Sequence, residues 1–195
     1  YSKLFIKNNI NTPVSGQTGT SALKEASSIL GTFNIFSNNL RDYTKASIWF
    51  PASPQLESMS QLNVKEYFLS IPKLNIKKAK VVGGGEDLTK SLVHYLPQSL
   101  PGEYGNVAIF GHSTLPQLYN PKDYKTIFTY LSSLEKGDKI YINIGELEYH
   151  YEVIDSFIVK PSEISVLEQK KDASYLTLIT CTPPGTYWER LVVTA

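Results

Sequence analysis

The chain predicts a mostly β fold, a single and largely antiparallel barrel or sandwich with short helices. Three observations carry that prediction: seven or eight short strand-like runs, turn signals between most of them, and no regular βαβ alternation. At 195 residues the chain has the size of one domain or one domain with an extension. Its 42% hydrophobic and 19% charged content is enough for a packed core.

The strand-like runs begin near residue 64. "EYFLSI" and "NIKKAKVV" flank Pro72, and "GGGEDLTKSLVHY" predicts a glycine turn followed by a short helix from Glu86 or Asp87, with His94 at its end. "NVAIFGH" is a compact apolar run that closes on Gly111 and His112. "DYKTIFTYLSSL" places Ile127, Tyr130, Leu131 and Leu134 at helical spacing. "KIYINI" and "LEYHYEVIDSFIV" form a hairpin about Gly145-Glu146, with period-two alternation through Tyr149, Tyr151 and Val153. "YLTLITC" and "ERLVVTA" complete the set. Ahead of them, residues 1–63 read as an extension or linker: "NNINTPVSGQTGT" is turn-rich, "SALKEASSIL" predicts a short helix between Ser21 and Gly31, and Pro51 and Pro54 interrupt the rest.

Composition excludes several classes. Nineteen basic against eighteen acidic residues give a net charge of +1, and the chain has no basic block of the kind that binds nucleic acid. No run reaches the length of a transmembrane helix. The chain opens on Tyr1 without Met or a signal peptide, so a membrane anchor is expected to have been removed. One cysteine rules out a disulfide framework, which fits the cytosol and also a Gram-positive cell surface.

That cysteine, Cys181, ends an apolar strand and precedes Arg190 by nine residues. A lone thiol is either a small core hydrophobe or a reactive group. If the last two strands pair so that Cys181 opposes Arg190, the two side chains share a face. The guanidinium then favours thiolate and offers donors to an oxyanion. Three histidines are available as acid or base. His150 lies in an alternating strand, His94 at the expected helix end, and His112 at a strand end beside a glycine, the position best suited to a barrel rim.

"NVAIFGH", "LEKGDKIYI", "IVKPSEISVL" and "YLTLITC…ERLVV", in this order, strongly resemble the sortases over about residues 64–195. "IPKLNIKKAKV" and "LPGEYGN" are also similar to that family's early strands and to the loop before its histidine. The resemblance implies an eight-stranded barrel over 64–195 and a transpeptidase acting on an LPxTG-like sorting signal at the extracytoplasmic face of the cell membrane. It implies Cys181 as nucleophile, His112 as acid and base, and Arg190 as the group that steadies the oxyanion or the substrate backbone. Phe110, Ile179 and Thr180 follow as groove residues, and the acceptor is an amine of peptidoglycan or a pilin lysine. No cofactor and no metal are expected: Glu103 stands alone before the histidine strand, and Glu163, Glu168 and Asp172 are spread out, where calcium would need clustered oxygens. Pilin-building relatives carry a lid with an Asp-Pro-aromatic motif. "WFPASP" lacks it, so an uncovered groove is expected. "TPPGTYWERLVVTA" resembles classes D and E, while "YLTLITC" and "IVKPSEISVLEQK" are equally similar to class A, which leaves the class open.

Other readings stand beside this one. A papain-like protease places its cysteine before its histidine, and an L,D-transpeptidase has a glycine before the cysteine; here His112 comes first and Thr180 precedes Cys181. A non-catalytic surface barrel and an autoinhibited or pilin-assembling sortase remain as alternatives.

Overall fold

The structure is a computed structural model, described over residues 43–53 and 65–195. The helix expected over 21–30 lies outside these residues. The chain divides into two compact units, and the described residues belong to the second, Asn39–Ala195.

Nine strands form one curled sheet: β1 (Glu66–Ile71), β2 (Ile76–Gly83), β3 (Leu92–His94), β4 (Gly105–Phe110), β5 (Lys139–Ile144), β6 (Leu147–Glu152), β7 (Asp155–Val159), β8 (Ser174–Thr182) and β9 (Glu189–Thr194). Their order across the sheet is β6-β5-β1-β2-β3-β4-β8-β9-β7. The mostly β class is as predicted. The count rises to nine because β3 is a separate three-residue strand and the long "LEYHYEVIDSFIV" run breaks at Val153 and Ile154. Val153 N–H donates to Asp138 O (2.9 Å) and Ile154 N–H to Thr194 O (2.8 Å), which hands the chain from β5 on one side to β9 on the other. Pairing is antiparallel except for β2–β3 and β4–β8.

The two faces of the sheet build two cores. The concave one gathers Tyr67, Leu69, Val81, Val107, Ile109, Phe128, Ile140, Leu176, Leu178 and Val193. The other gathers Val93, Tyr95, Ala108, Phe110, Ile179, Cys181 and Val192 with Trp49 and Phe50. Strand β4 is buried at every position because it feeds both cores, which explains its unbroken apolar sequence.

Neither helix expected within the described residues forms. After Gly84 the chain makes turns. Asp87 Oδ1 accepts both the Thr89 N–H (2.9 Å) and the Thr89 hydroxyl (2.5 Å), and Leu88 N–H donates to Thr44 O. This local side-chain bonding competes with a helix. Residues 123–134 make a chain of i→i+3 turns. Phe128 N–H, which a helix would aim at Tyr124, goes to His112 O (2.9 Å), and the Thr126 and Thr129 hydroxyls bond backbone carbonyls. Ile127, Leu131 and Leu134 still point inward, in tight turns, while Tyr130 is exposed and meets Tyr119 edge-on.

His94 is not at a helix end. It lies in β3, buried, with both ring nitrogens lacking a hydrogen-bond partner among the described residues and its ring edge-on to Tyr67. Burial pulls its pKa from 6.5 down to about 3. The folded state therefore binds fewer protons here than the unfolded chain between those values. Stability is full above pH 6.5 and is lost as pH falls towards 3, at up to about 1.4 kcal/mol per pH unit. Urea midpoints measured from pH 7.5 to 4 should fall in that window, and His94→Phe should flatten the decline.

Candidate active site

The β8–β9 ladder pairs Cys181 with Arg190 directly. Strand alternation puts Ile179 and Cys181 on one face with Phe110 of the neighbouring β4, and turns Thr180 to the other. Thr180 does not line the groove face: its buried hydroxyl donates to Gly111 O (2.7 Å). Phe110 and Ile179 are fully buried side by side on the face where the groove is expected.

His112 lies two residues past the end of β4 and is held through both of its neighbours. Gly111 N–H donates to Ile179 O (3.1 Å), and the Ser113 hydroxyl donates to Cys181 O (2.6 Å). The histidine is thus clamped beside the end of the cysteine strand. A side chain at 111 is excluded: a Cβ there would fall 2.6 Å from both Leu92 Cδ2 and Phe128 Cδ2. Ser113 carries no sequence signal beyond its adjacency to His112. Replacing it with alanine removes one neutral hydrogen bond, worth about 1 kcal/mol. Turnover is expected to drop several-fold with little change in substrate affinity, which steady-state kinetics can separate.

The groove is covered. Residues 43–53 run across it as a strap whose Trp49 and Phe50 are fully buried. Trp49 stacks on Phe110 (5.3 Å between centroids, 13°) and lies 5.6 Å from the His112 ring, while Phe50 meets Phe110 at 5.7 Å. The Trp49 carbonyl accepts from Arg190 Nε (3.2 Å) and Nη2 (2.9 Å); Arg190 Nη1 donates to Tyr187 O and Glu189 O. Tyr43 stacks on Tyr187 at 4.2 Å. The strap is pinned outside the groove by Ala46 N–H to Glu86 O (3.0 Å), Leu88 N–H to Thr44 O (3.0 Å) and a Ser53–Tyr95 hydroxyl pair (2.7 Å).

The expectation of an uncovered groove is therefore corrected. The cover is made without an Asp: the Trp49 carbonyl takes the Nε and Nη2 donors of Arg190. The visible signal was three consecutive bulky residues, Ile48-Trp49-Phe50, in an otherwise polar stretch.

Burial under the strap sets the resting chemistry. The Cys181 thiol is pushed up to about 11 by desolvation, against the pull of Arg190. His112 is pulled down to about 4, again by desolvation first, and its Nε2 is buried without a partner among the described residues. Burial also lowers the Arg190 pKa from its ordinary value. At neutral pH the pair rests as thiol and neutral imidazole.

A thiol paired across two strands with a guanidinium, and an imidazole tethered to the end of the thiol's strand, are groups that cysteine acyl-transfer chemistry uses. Comparison with known proteins makes this specific. The Sortase domain family model matches residues 69–195, so the chain belongs to the sortase family. It is 30% identical over 116 residues to Sortase D of Bacillus subtilis (strain 168), covering 59% of this chain and 53% of that protein. Among solved structures, a Clostridium perfringens Sortase D5 transpeptidase aligns with TM-score 0.56 and 27% identity, over 72% of this chain and 82% of that one. The pilus-related Sortase C of Group B Streptococcus aligns with TM-score 0.59 and 26% identity, over 80% and 82%. The chain spans about half the length of the B. subtilis relative.

Proposed function

We propose that the chain is a cysteine transpeptidase that cleaves an LPxTG-like sorting signal and passes the acyl group to an amine. The observation that carries this reading is the direct pairing of Cys181 with Arg190, with His112 tethered to the same strand end through Ser113. Cys181 Sγ attacks the threonine carbonyl as its thiol proton passes to the neutral His112 imidazole. The C–N bond to glycine breaks, His112 protonates the departing amine, and a thioester forms. An incoming amine attacks the thioester, His112 takes its proton, the new amide forms, and the thiolate leaves. Arg190 donates to the carbonyl oxygen as it becomes an oxyanion. The acceptor is a peptidoglycan amine or a pilin lysine, and the work is done at the extracytoplasmic face of the membrane. Among the described residues no helix is long and apolar enough to cross a membrane.

A second reading is favoured by the strap: the form described is an autoinhibited one. Arg190 already spends two donors on Trp49 O, and Phe110 lies under Trp49, so substrate entry requires the strap to leave.

The test is intact-protein mass spectrometry after incubation with an LPxTG peptide. The expected result is an added mass equal to the acyl fragment, mapped to Cys181 and released as a new amide by a glycine-based amine. No adduct on a protein freed of its strap would overturn the reading.

A further inference from the structure

Away from the groove, β2 carries an irregularity. Leu69 pairs with Ala79 and Ile71 with Ile76, so Ser70 alone opposes both Lys77 and Lys78. Lys78 takes the left-handed region, φ 48°, rare for a residue with a long side chain, and its N–H is held by Ser70 Oγ at 2.9 Å. In a regular strand these neighbours would face opposite sides, and one would enter the barrel. The bulge leaves both exposed. A 460 Å³ cavity opens there, lined by Lys77 and Lys78, by Lys122 from the turn before β5, and by Asn75 and Tyr124.

The cavity's lining contains no carboxylate. Among the described residues, none of the three lysines makes an ion pair, whereas nearby Lys80 is paired with Glu66 (3.4 Å) and Asp123 caps the Lys125 N–H (3.0 Å). Glu148 feels the Lys78 charge but is itself bonded to Asn143 and His150. Tyr124 accepts the Lys80 N–H through its oxygen, which leaves its own proton to donate. Three ammonium groups, an amide and a hydroxyl can all supply donors to the cavity, and no carboxylate stands among them. On a chain of net charge +1, this concentration of unpaired positive charge is local.

We propose that this cavity is a binding site for a phosphate group, carried by an anionic lipid headgroup or by a soluble phosphate compound. Lysine ammoniums are compact donors that suit a multi-oxygen anion, and the site is independent of the reaction proposed above.

The experiment uses the whole chain in a low-chloride buffer. Inorganic phosphate and, separately, acetate are titrated while amide shifts are followed by NMR. Sedimentation with phosphatidylcholine vesicles, with and without phosphatidylglycerol, forms a second arm. Phosphate should shift Lys77, Lys78 and Lys122 saturably, weaken with added salt, and exceed acetate in affinity. The K77Q/K78Q/K122Q variant should bind about a hundredfold more weakly, at roughly fivefold per ammonium. The K136Q/K170Q/K171Q variant, with the same change in net charge, should bind as before. All six lysines are exposed, so melting curves should stay unchanged. Vesicle binding that needs phosphatidylglycerol assigns the lipid source, and phosphate binding without it assigns the soluble one. No saturable shift with phosphate and no phosphatidylglycerol-dependent sedimentation, equal response to acetate, or equal loss in both triple variants would overturn the proposal.

Discussion

Replacing Cys181 with alanine is expected to abolish both the covalent adduct and peptide transfer, and Arg190→Gln to lower turnover by about a thousandfold, the upper range for loss of an oxyanion donor. The first outcome follows from the chemistry: the chain has one thiol, and no other nucleophile stands opposite Arg190. The second separates two roles of the guanidinium. If Arg190 meets the oxyanion, the loss appears in kcat. If it holds the substrate backbone, the loss appears in KM. Arg190→Lys keeps the charge but not the planar fork, so it should recover only part of the activity. Because Arg190 also bonds the carbonyls of Trp49, Tyr187 and Glu189, its removal strands buried acceptors. Melting temperature must be recorded beside the kinetics, and a variant that is fully folded and fully active would sink the assigned role.

The parts of this architecture that were legible in the sequence are those with a short-range cause. The pairing of β8 with β9 follows from two apolar runs joined by a proline-glycine turn, and of the registers the sequence left open the structure takes the one that brings Cys181 opposite Arg190. Strand β4 was legible as a continuous apolar run because it is buried on both faces. What was not legible depends on distant partners. The helical spacing of Ile127, Tyr130, Leu131 and Leu134 is real, yet Phe128 N–H is taken by His112, fifteen or more residues away, and the helix gives way to turns. Thr180 sits between two groove-face residues and looks like a third, but strand alternation turns it to Gly111. The strap was missed because its contact with Arg190 is made by the Trp49 backbone, which leaves no trace in residue type.

Removing the strap's anchors, as Trp49→Ala with Phe50→Ala, is expected to raise the alkylation rate of Cys181 at neutral pH by tenfold or more. With the thiol pushed to about 11, the thiolate fraction near pH 7.5 is only about one in three thousand. Desolvation is the larger cause of that shift, and Arg190 opposes it. Withdrawing two aromatic rings readmits water, while the guanidinium, no longer engaged by Trp49 O, is left facing the thiol. Both changes favour thiolate, so the pH profile of iodoacetamide labelling should move to lower pH. The His112 pKa, held near 4 by the same burial, should rise towards its ordinary value. The concave core does not include Trp49 or Phe50, so the sheet should keep its strand circular dichroism. A milder variant, Ser53→Ala with Glu86→Ala, loosens the strap outside the groove by removing the Ser53–Tyr95 and Ser47–Glu86 contacts and should move the profile the same way by less. Labelling kinetics that remain as in the parent in both variants would show that Cys181 is shielded by something other than the strap.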